Sequence, residues 1–196
     1  MIITISGPPG SGKSTLAKFL ATKLNAQWIY VGGIRRELAR KKGMILEQLN
    51  EYALTHPETD VDIDKEVAQK VLHLEKQGKI VVVEGRTQYH FLPESIKIYM
   101  KVDFAEGARR IWEDLQHQKI QQERNEGNIK SLIELKTKLR RRQESDSKRY
   151  KKYYNLNPYD EKQYDIVIDT TSNTQEETRK QVLLALKPFL KKEKLK

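Results

Sequence analysis

No cysteine occurs anywhere in the chain. Disulfides, thiolate nucleophiles and cysteine-ligated metals are therefore excluded, and a reducing, cytoplasmic setting is the expectation. Histidine is scarce and scattered: His56, His73, His90 and His117 share no metal-ligand spacing, so each reads as an ordinary surface or core residue. Of these, only His90, with Tyr89 beside it, stands close enough to a strand end to border a ligand. No apolar run approaches the ~20 residues that a membrane span requires. The opening Met1-Ile-Ile-Thr-Ile-Ser lacks the basic flank and cleavage region of a secretory leader. No internal repeat and no Pro/Gly/Ser-rich linker interrupts the 196 residues, which are expected to build one domain around a full core.

What the chain has in excess is charge. Charged residues make up 33% of it, and the balance is +10. Such a surplus suits phosphate contacts along a nucleic acid or the capture of small, highly anionic substrates. Charge alone does not choose between them.

The apolar patterning is that of strands alternating with helices. Ile2–Ser6 is a short apolar run, followed by a glycine-rich turn and helical spacing at Leu16, Ala17, Leu20, Ala21 and Leu24. Further strands are expected at 28–31, 80–84, 95–102 and 165–169, and further helices at 34–42, 45–55, 62–77 and about 175–190. Five such strands imply an α/β fold with a five-stranded parallel sheet covered on both faces. Between Val102 and Tyr164 no strand is visible. Two basic helices, about 104–122 and 129–154, turn at Gly127-Asn128 and are expected to form a helical lid over 104–154. Tyr150, Tyr153 and Tyr154 fall at helical spacing and are expected to pack the second of them onto the sheet. The core comprises 1–103 and 155–186, and 187–196 reads as a solvated, disordered basic tail.

Gly7-Pro8-Pro9-Gly10-Ser11-Gly12-Lys13-Ser14, followed by Thr15, fits G-x-x-x-x-G-K-[ST] between a strand and a helix. Glycines let successive backbone N–H groups converge on phosphate oxygens, and the helix that follows adds its positive end. Lys13 is placed to reach the β- and γ-phosphates of ATP, and the Ser14 hydroxyl to ligate Mg²⁺. The fold is thus the three-layer α/β/α of P-loop NTPases. Glu84 ends the third strand, where an acid would face the loop and share the metal with Ser14; acids are depleted from buried strands, which favours that role.

Phosphoryl transfer depends on positioning and charge neutralisation. Arg35 and Arg36 follow the second strand through Gly32-Gly33, and Arg86 follows the third through Gly85. Strand ends of a doubly wound sheet line its ligand crevice, so both sites point into one cleft. Arg142, Asp146 and Arg149 share one face of the second lid helix, placed to close over the reaction and exclude water.

With these residues in hand, the chain resembles the nucleoside monophosphate kinases, most closely the short, archaeal type of cytidylate kinase. The resemblance spans nearly the whole length. It rests on residues 2–20, on Gly32-Gly33-Ile34-Arg35-Arg36-Glu37, on Val83-Glu84-Gly85-Arg86, on Arg142-Gln143-Glu144-Ser145-Asp146-Ser147-Lys148-Arg149-Tyr150 and on residues 164–171. It implies ATP + CMP (or dCMP) ⇌ ADP + CDP (or dCDP) with Mg²⁺; a monomer is expected, since one lid and one cleft suffice. It implies that Arg36 and Arg86, with Gly32 and Gly85, hold the acceptor phosphate, and that Arg142 and Arg149 descend on the transferred group. Asp146 would orient these arginines or touch the acceptor sugar. Arg110 would pack on the adenine of ATP, near Thr170-Thr171-Ser172. The chain departs from the family at Tyr30, usually a small hydroxyl residue, at Gly33, usually an acid, and at Thr87, an aspartate that helps read cytosine in bacterial members. The helix at 62–77, which should help recognise the base, matches poorly beyond Asp64 and Gln69.

Other readings compete. Shikimate- and gluconate-type kinases usually carry an aspartate after the second strand, where this chain has Gly32-Gly33. Adenylate kinases carry Asp-Gly-Phe-Pro-Arg where it has Glu84-Gly85-Arg86. An RNA-associated P-loop ATPase would account for the charge, but no RNA-binding motif is present.

Overall fold

The structure, a computed structural model, describes residues 1–193. Five strands form one parallel sheet: β1 (Ile2–Ser6), β2 (Gln27–Tyr30), β3 (Val81–Glu84), β4 (Ile96–Lys101) and β5 (Ile166–Asp169), in the order β2-β3-β1-β4-β5. Every residue of β1 and β3 is buried, as central strands of a parallel sheet require. Alternate residues therefore serve opposite cores. Ile3, Ile5 and Val82 pack with Leu16, Ala17 and Leu20 of α1 (Lys13–Lys23) and with Val182 and Leu186 of the last helix. Ile2, Val81 and Val83 pack with Val67, Ala68 and Val71 of the long helix before β3. This is the three-layer arrangement expected.

Between β2 and β3 lie α2 (Val31–Lys41), α3 (Leu46–Tyr52) and α4 (Glu58–Lys76). Helix α2 begins directly after β2, three residues earlier than the sequence suggests. Gly32 and Gly33 lie in its first turn rather than in a loop, and the Tyr30 ring occupies the space where their side chains would stand. Helix α4 likewise starts four residues early, behind Pro57, with Thr59 Oγ1 donating to His56 O at 2.8 Å. One turn of helix, α5 (Gln88–Phe91), follows β3 and had no sequence signal.

After β4 the expected single helix over 104–122 is two: α6 (Phe104–Asp114) and α7 (Gln118–Arg124). An ion pair from Arg124 back to Asp114 holds α7 folded against the end of α6. Helix α8 (Leu132–Tyr154) starts at Ser131, whose hydroxyl accepts from Glu134 N at 3.1 Å. Ile129, expected inside that helix, instead joins Ala108, Ile111, Leu115, Leu135 and Leu139 in a third core between α6 and α8.

Helix α9 (Gln175–Glu193) closes the fold. It runs through Pro188, so residues 187–193 are helix rather than the tail expected, and 194–196 fall outside the described residues. Phe189 and Leu190 pack on the sheet core beyond the proline. Pro188 itself is exposed, so the carbonyl that loses its donor faces water. Among the described residues no helix is long and apolar enough to cross a membrane.

Leu20 lies wholly buried between α1 and the sheet. Leu20→Ala should cost about 2–5 kcal/mol of stability, read as a lowered denaturation midpoint at constant slope.

Candidate active site

The phosphate loop follows β1. Gly7 and Gly10 have φ of +143° and +78°, which L side chains rarely adopt. Neither has room for one. A Cβ on Gly7 would lie 2.2 Å from Met100 O, and on Gly10 it would lie 2.2 Å from Gly107 O. The loop is thus seated directly on β4 and on the backbone of α6.

Lys13 opens α1 and folds back across the loop, donating to Pro8 O at 2.6 Å and to Ser11 Oγ at 3.3 Å. Burial lowers its pKa to about 7, and Arg86 nearby adds to the effect. Its ammonium is poorly solvated and ringed by cations, a setting that an anion would relieve. Ser14 Oγ donates to Glu84 Oε1 at 2.6 Å, and the other carboxylate oxygen, Oε2, is buried without a partner. Burial raises the Glu84 pKa, against the pull of the Ser14 hydrogen bond and Lys13.

These groups line one cleft of about 970 Å³. Into it the structure brings Pro9, Gly10, Ser11, Gly12, Lys13, Ser14 and Thr15 of the loop, then Glu84, Gly32, Gly85, Arg36, Arg86, Arg142 and Arg110. Of the other residues named from sequence, Gly7 and Pro8 support the loop from outside the cleft, Pro8 through the carbonyl that holds Lys13.

Each cleft arginine is held by an oxygen. Arg36 donates to Tyr30 OH at 2.6 Å, Gly32 O at 3.0 Å and Arg124 O at 2.8 Å. Arg142 donates to Glu126 at 3.0 Å, and Arg86 pairs with Asp146 at 3.1 Å. Arg110 donates to Glu106 at 2.8 Å and to Thr170 O at 2.6 Å, which sets it beside the expected 170–172 loop.

Arg149 and Asp146 depart from expectation. Both are buried, neither lines the cleft, and Arg149 lies between Asp146 and Asp60, bonded to both. The face they share with Arg142 is real, but α8 passes from the cleft into the protein interior along it. Burial acts to raise the pKa of Asp146, yet Arg86 and Arg149 outweigh it and hold the carboxyl below its usual range. Asp146 thus sits between Arg86 and Arg149, and Arg149 between Asp146 and Asp60. His90 and Tyr89 do not border the cleft: Tyr89 packs with Tyr99 and Tyr164, and His90 is exposed beside Phe91 and Tyr154. Tyr153 and Tyr154 tie α8 to α3 and α4 rather than to the sheet, through bonds to Ala53 O and Asp64.

Several residues escaped the sequence reading. Asp60 pairs with both Arg35 and Arg149, Glu126 with Arg142, and Arg124 lines the cleft. Asp60 and Asp64 fall in register with Val67, Ala68 and Val71, the buried face of α4. Acids at core spacing were the available signal.

The strand order, the loop and the converging cations define a P-loop kinase. Comparison with known proteins agrees. A family described as an AAA domain matches residues 3–131. The cytidylate kinase of Methanothrix thermoacetophila is 38% identical over 170 residues, covering 87% of this chain and 88% of its own. That of Methanocaldococcus jannaschii is 38% identical over 176 residues, covering 87% and 89%. Among solved structures, shikimate kinase from Acinetobacter baumannii superposes with a TM-score of 0.54 at 17% identity, covering 97% of this chain and 93% of its own, a likeness of fold alone. The chain belongs to the cytidylate kinase family.

Tyr30, Gly32 and Gly33 form a matched set. A Cβ on Gly32 or Gly33 would lie 2.8 or 2.7 Å from the Tyr30 ring. Gly→Ala inside a helix ordinarily stabilises by about 0.5–1 kcal/mol. Gly33→Ala should instead destabilise by about 1–3 kcal/mol through the clash, and lose that penalty when combined with Tyr30→Ser. Thermal unfolding of the four chains of the cycle measures the coupling.

Proposed function

We propose that the protein transfers the γ-phosphoryl group of ATP to CMP or dCMP, releasing ADP and the nucleoside diphosphate. The observation that carries this reading is the set of cations around one cleft. Lys13 lies at the phosphate loop, and Arg36, Arg86 and Arg142 line the cleft with it, each held by oxygens of the protein. Bound phosphates supply oxygens of the same kind and take over those guanidinium hydrogen bonds, bidentately where the fork allows.

The acceptor is itself a phosphate and already ionised near neutral pH, so its oxygen needs no general base. That oxygen forms a bond to the γ-phosphorus as the bond to the β–γ bridging oxygen breaks, and ADP leaves. The chain's part is alignment and charge neutralisation in a place that water does not share. Lys13 serves the donor phosphates, Arg36 and Arg86 the acceptor phosphate, and Arg142 the group in transit. Arg110, fixed between Glu106 and the 170–171 carbonyls, supports the adenine side.

Mg²⁺ suits the residues present. Among the described residues no cluster of three or more acidic or histidine side chains could cage a metal alone, and Mg²⁺ is ordinarily held by one or two protein oxygens plus phosphates. The Ser14 hydroxyl and the unpartnered Glu84 Oε2 would hold it, and it would neutralise phosphate charge. One chain carries the whole cleft, which supports a monomer, and a cysteine-free chain that uses ATP suits the cytoplasm.

An ADP-release assay with Mg·ATP and each of CMP, dCMP, UMP, AMP, GMP and dTMP tests the reading. CMP or dCMP should give the strongest response. A stronger response to another monophosphate moves the specificity, and ATP hydrolysis with no acceptor response overturns the reading. Lys13→Ala should abolish transfer with the fold intact by circular dichroism. Arg86→Ala should lower kcat/KM for the acceptor by about 10²-fold or more; an unchanged value would remove Arg86 from the site.

A further inference from the structure

The segment that joins α7 to α8 carries a buried carboxylate. Glu126 stands between Asn125 and Gly127, whose φ values are +51° and +76°. Both residue types tolerate that left-handed backbone, so the course of the chain through Glu126 is set locally. The same segment is docked on α2 and on the link to α3. Leu46 N donates to Asn125 O at 3.0 Å, and Asn125 Nδ2 donates to Met44 O at 3.1 Å. Arg40 Nη2 donates to Glu123 O at 3.1 Å, and Arg36 Nε donates to Arg124 O at 2.8 Å.

Glu126, 8% exposed, thereby meets two arginines from different elements. Arg142 of α8 donates to its Oε1 at 3.0 Å, and Arg36 Nη2 of α2 lies 3.9 Å from the same oxygen. Both arginines line the cleft, whereas Glu126 does not. The carboxylate holds them from behind. Each arginine keeps a donor in hand. Arg142 Nε is buried with no partner. Arg36 Nε and Nη1 are taken by Arg124 O, Tyr30 OH and Gly32 O, and Nη2 makes no hydrogen bond among the described residues. One carboxylate between two guanidiniums leaves a positive charge over, so the pair still attracts an anion. Burial pushes the Arg142 pKa down, and Glu126 is the strongest of the charges that oppose this.

We infer that Glu126 is a positioning residue for phosphoryl transfer. It fixes Arg36 and Arg142 relative to each other, so the cation on the acceptor phosphate and the cation on the group in transit are set as one unit through the docked 123–127 segment. The inference rests on the roles proposed for those two arginines. Neighbouring guanidiniums repel, and Arg36 bears on Arg142 in that sense. A shared carboxylate behind the pair offsets the repulsion and occupies no donor that the substrate needs. The two contacts differ in kind. The Arg142 contact is a hydrogen bond, which a glutamine oxygen can still accept. The Arg36 contact, at 3.9 Å, is beyond hydrogen-bond reach and depends on the charge.

That difference supplies the test, run on the intact protein at saturating Mg·ATP with the monophosphate that the wild type uses best. Glu126→Ala removes both contacts and should lower kcat/KM for the acceptor by about 10²-fold, through kcat and KM together. Glu126→Gln should keep kcat within about threefold of wild type and raise the acceptor KM about tenfold. In an Arg142→Ala background, Glu126→Ala should cost no more than about tenfold, the part that runs through Arg36. A purely structural residue would lower the unfolding midpoint and leave KM alone. Equal losses in the two variants, full additivity with Arg142→Ala, or a lower acceptor KM in Glu126→Gln, the mark of a carboxylate that competes with phosphate, would each overturn the inference. Calorimetric titration without ATP, using the monophosphate that binds the wild type most tightly, needs no turnover. Glu126→Gln should bind it about tenfold more weakly, and unchanged affinity counts against Glu126. A wild type that binds a monophosphate but transfers to none overturns the proposed function, and this titration then decides the inference by itself. A wild type that binds none of them overturns both.

Discussion

Arg149 has no exposed side-chain surface and pairs with two carboxylates, Asp60 on α4 and Asp146 on its own helix. Each carboxylate holds a second arginine: Asp60 holds Arg35 of α2, and Asp146 holds Arg86 at the end of β3. Five alternating charges thus join three helices and the sheet. Taking one partner from a buried pair leaves the other charge uncompensated, at a cost of several kcal/mol, so each link constrains the next. The C-terminal half of α8 belongs to the body of the protein for this reason. Arg142, two turns earlier, lies beyond the anchor and is held over the cleft by Glu126.

The sheet and the phosphate loop were legible in the sequence because both are local. Buried parallel strands are short apolar runs, and the loop motif has one backbone solution. Arg36 and Arg86 were legible at one remove, since a parallel sheet gathers its strand ends. Arg149 was not. Spacing placed it on the same helical face as Arg142, but only the approach of α4 with Asp60 decides where along α8 that face stops being cleft and becomes interior. The break between α6 and α7 has the same character, because Arg124 and Asp114 meet only in the folded chain. Gly32-Gly33 misled in the opposite direction. Local propensity reads the pair as an interruption, whereas the Tyr30 ring requires the missing side chains and lets the helix start there.

The departures from the family pattern are therefore coupled rather than independent. A Cβ on Gly33 would lie 2.7 Å from the Tyr30 ring, and the Tyr30 hydroxyl reaches Arg36 at 2.6 Å. Thr87 and Asp64 are linked by a hydrogen bond of 2.8 Å.

The seat of the phosphate loop on α6 has a consequence for the two loops that this helix touches. Gly107 bears the loop, and Arg110 stands three residues further along the same helix, fixed to the carbonyls of Thr170 and Thr171. Three helical residues advance about 4.5 Å along a stiff axis. The phosphate loop and the 170–171 segment are thus both tied to one rigid helix, and a displacement of α6 carries both together.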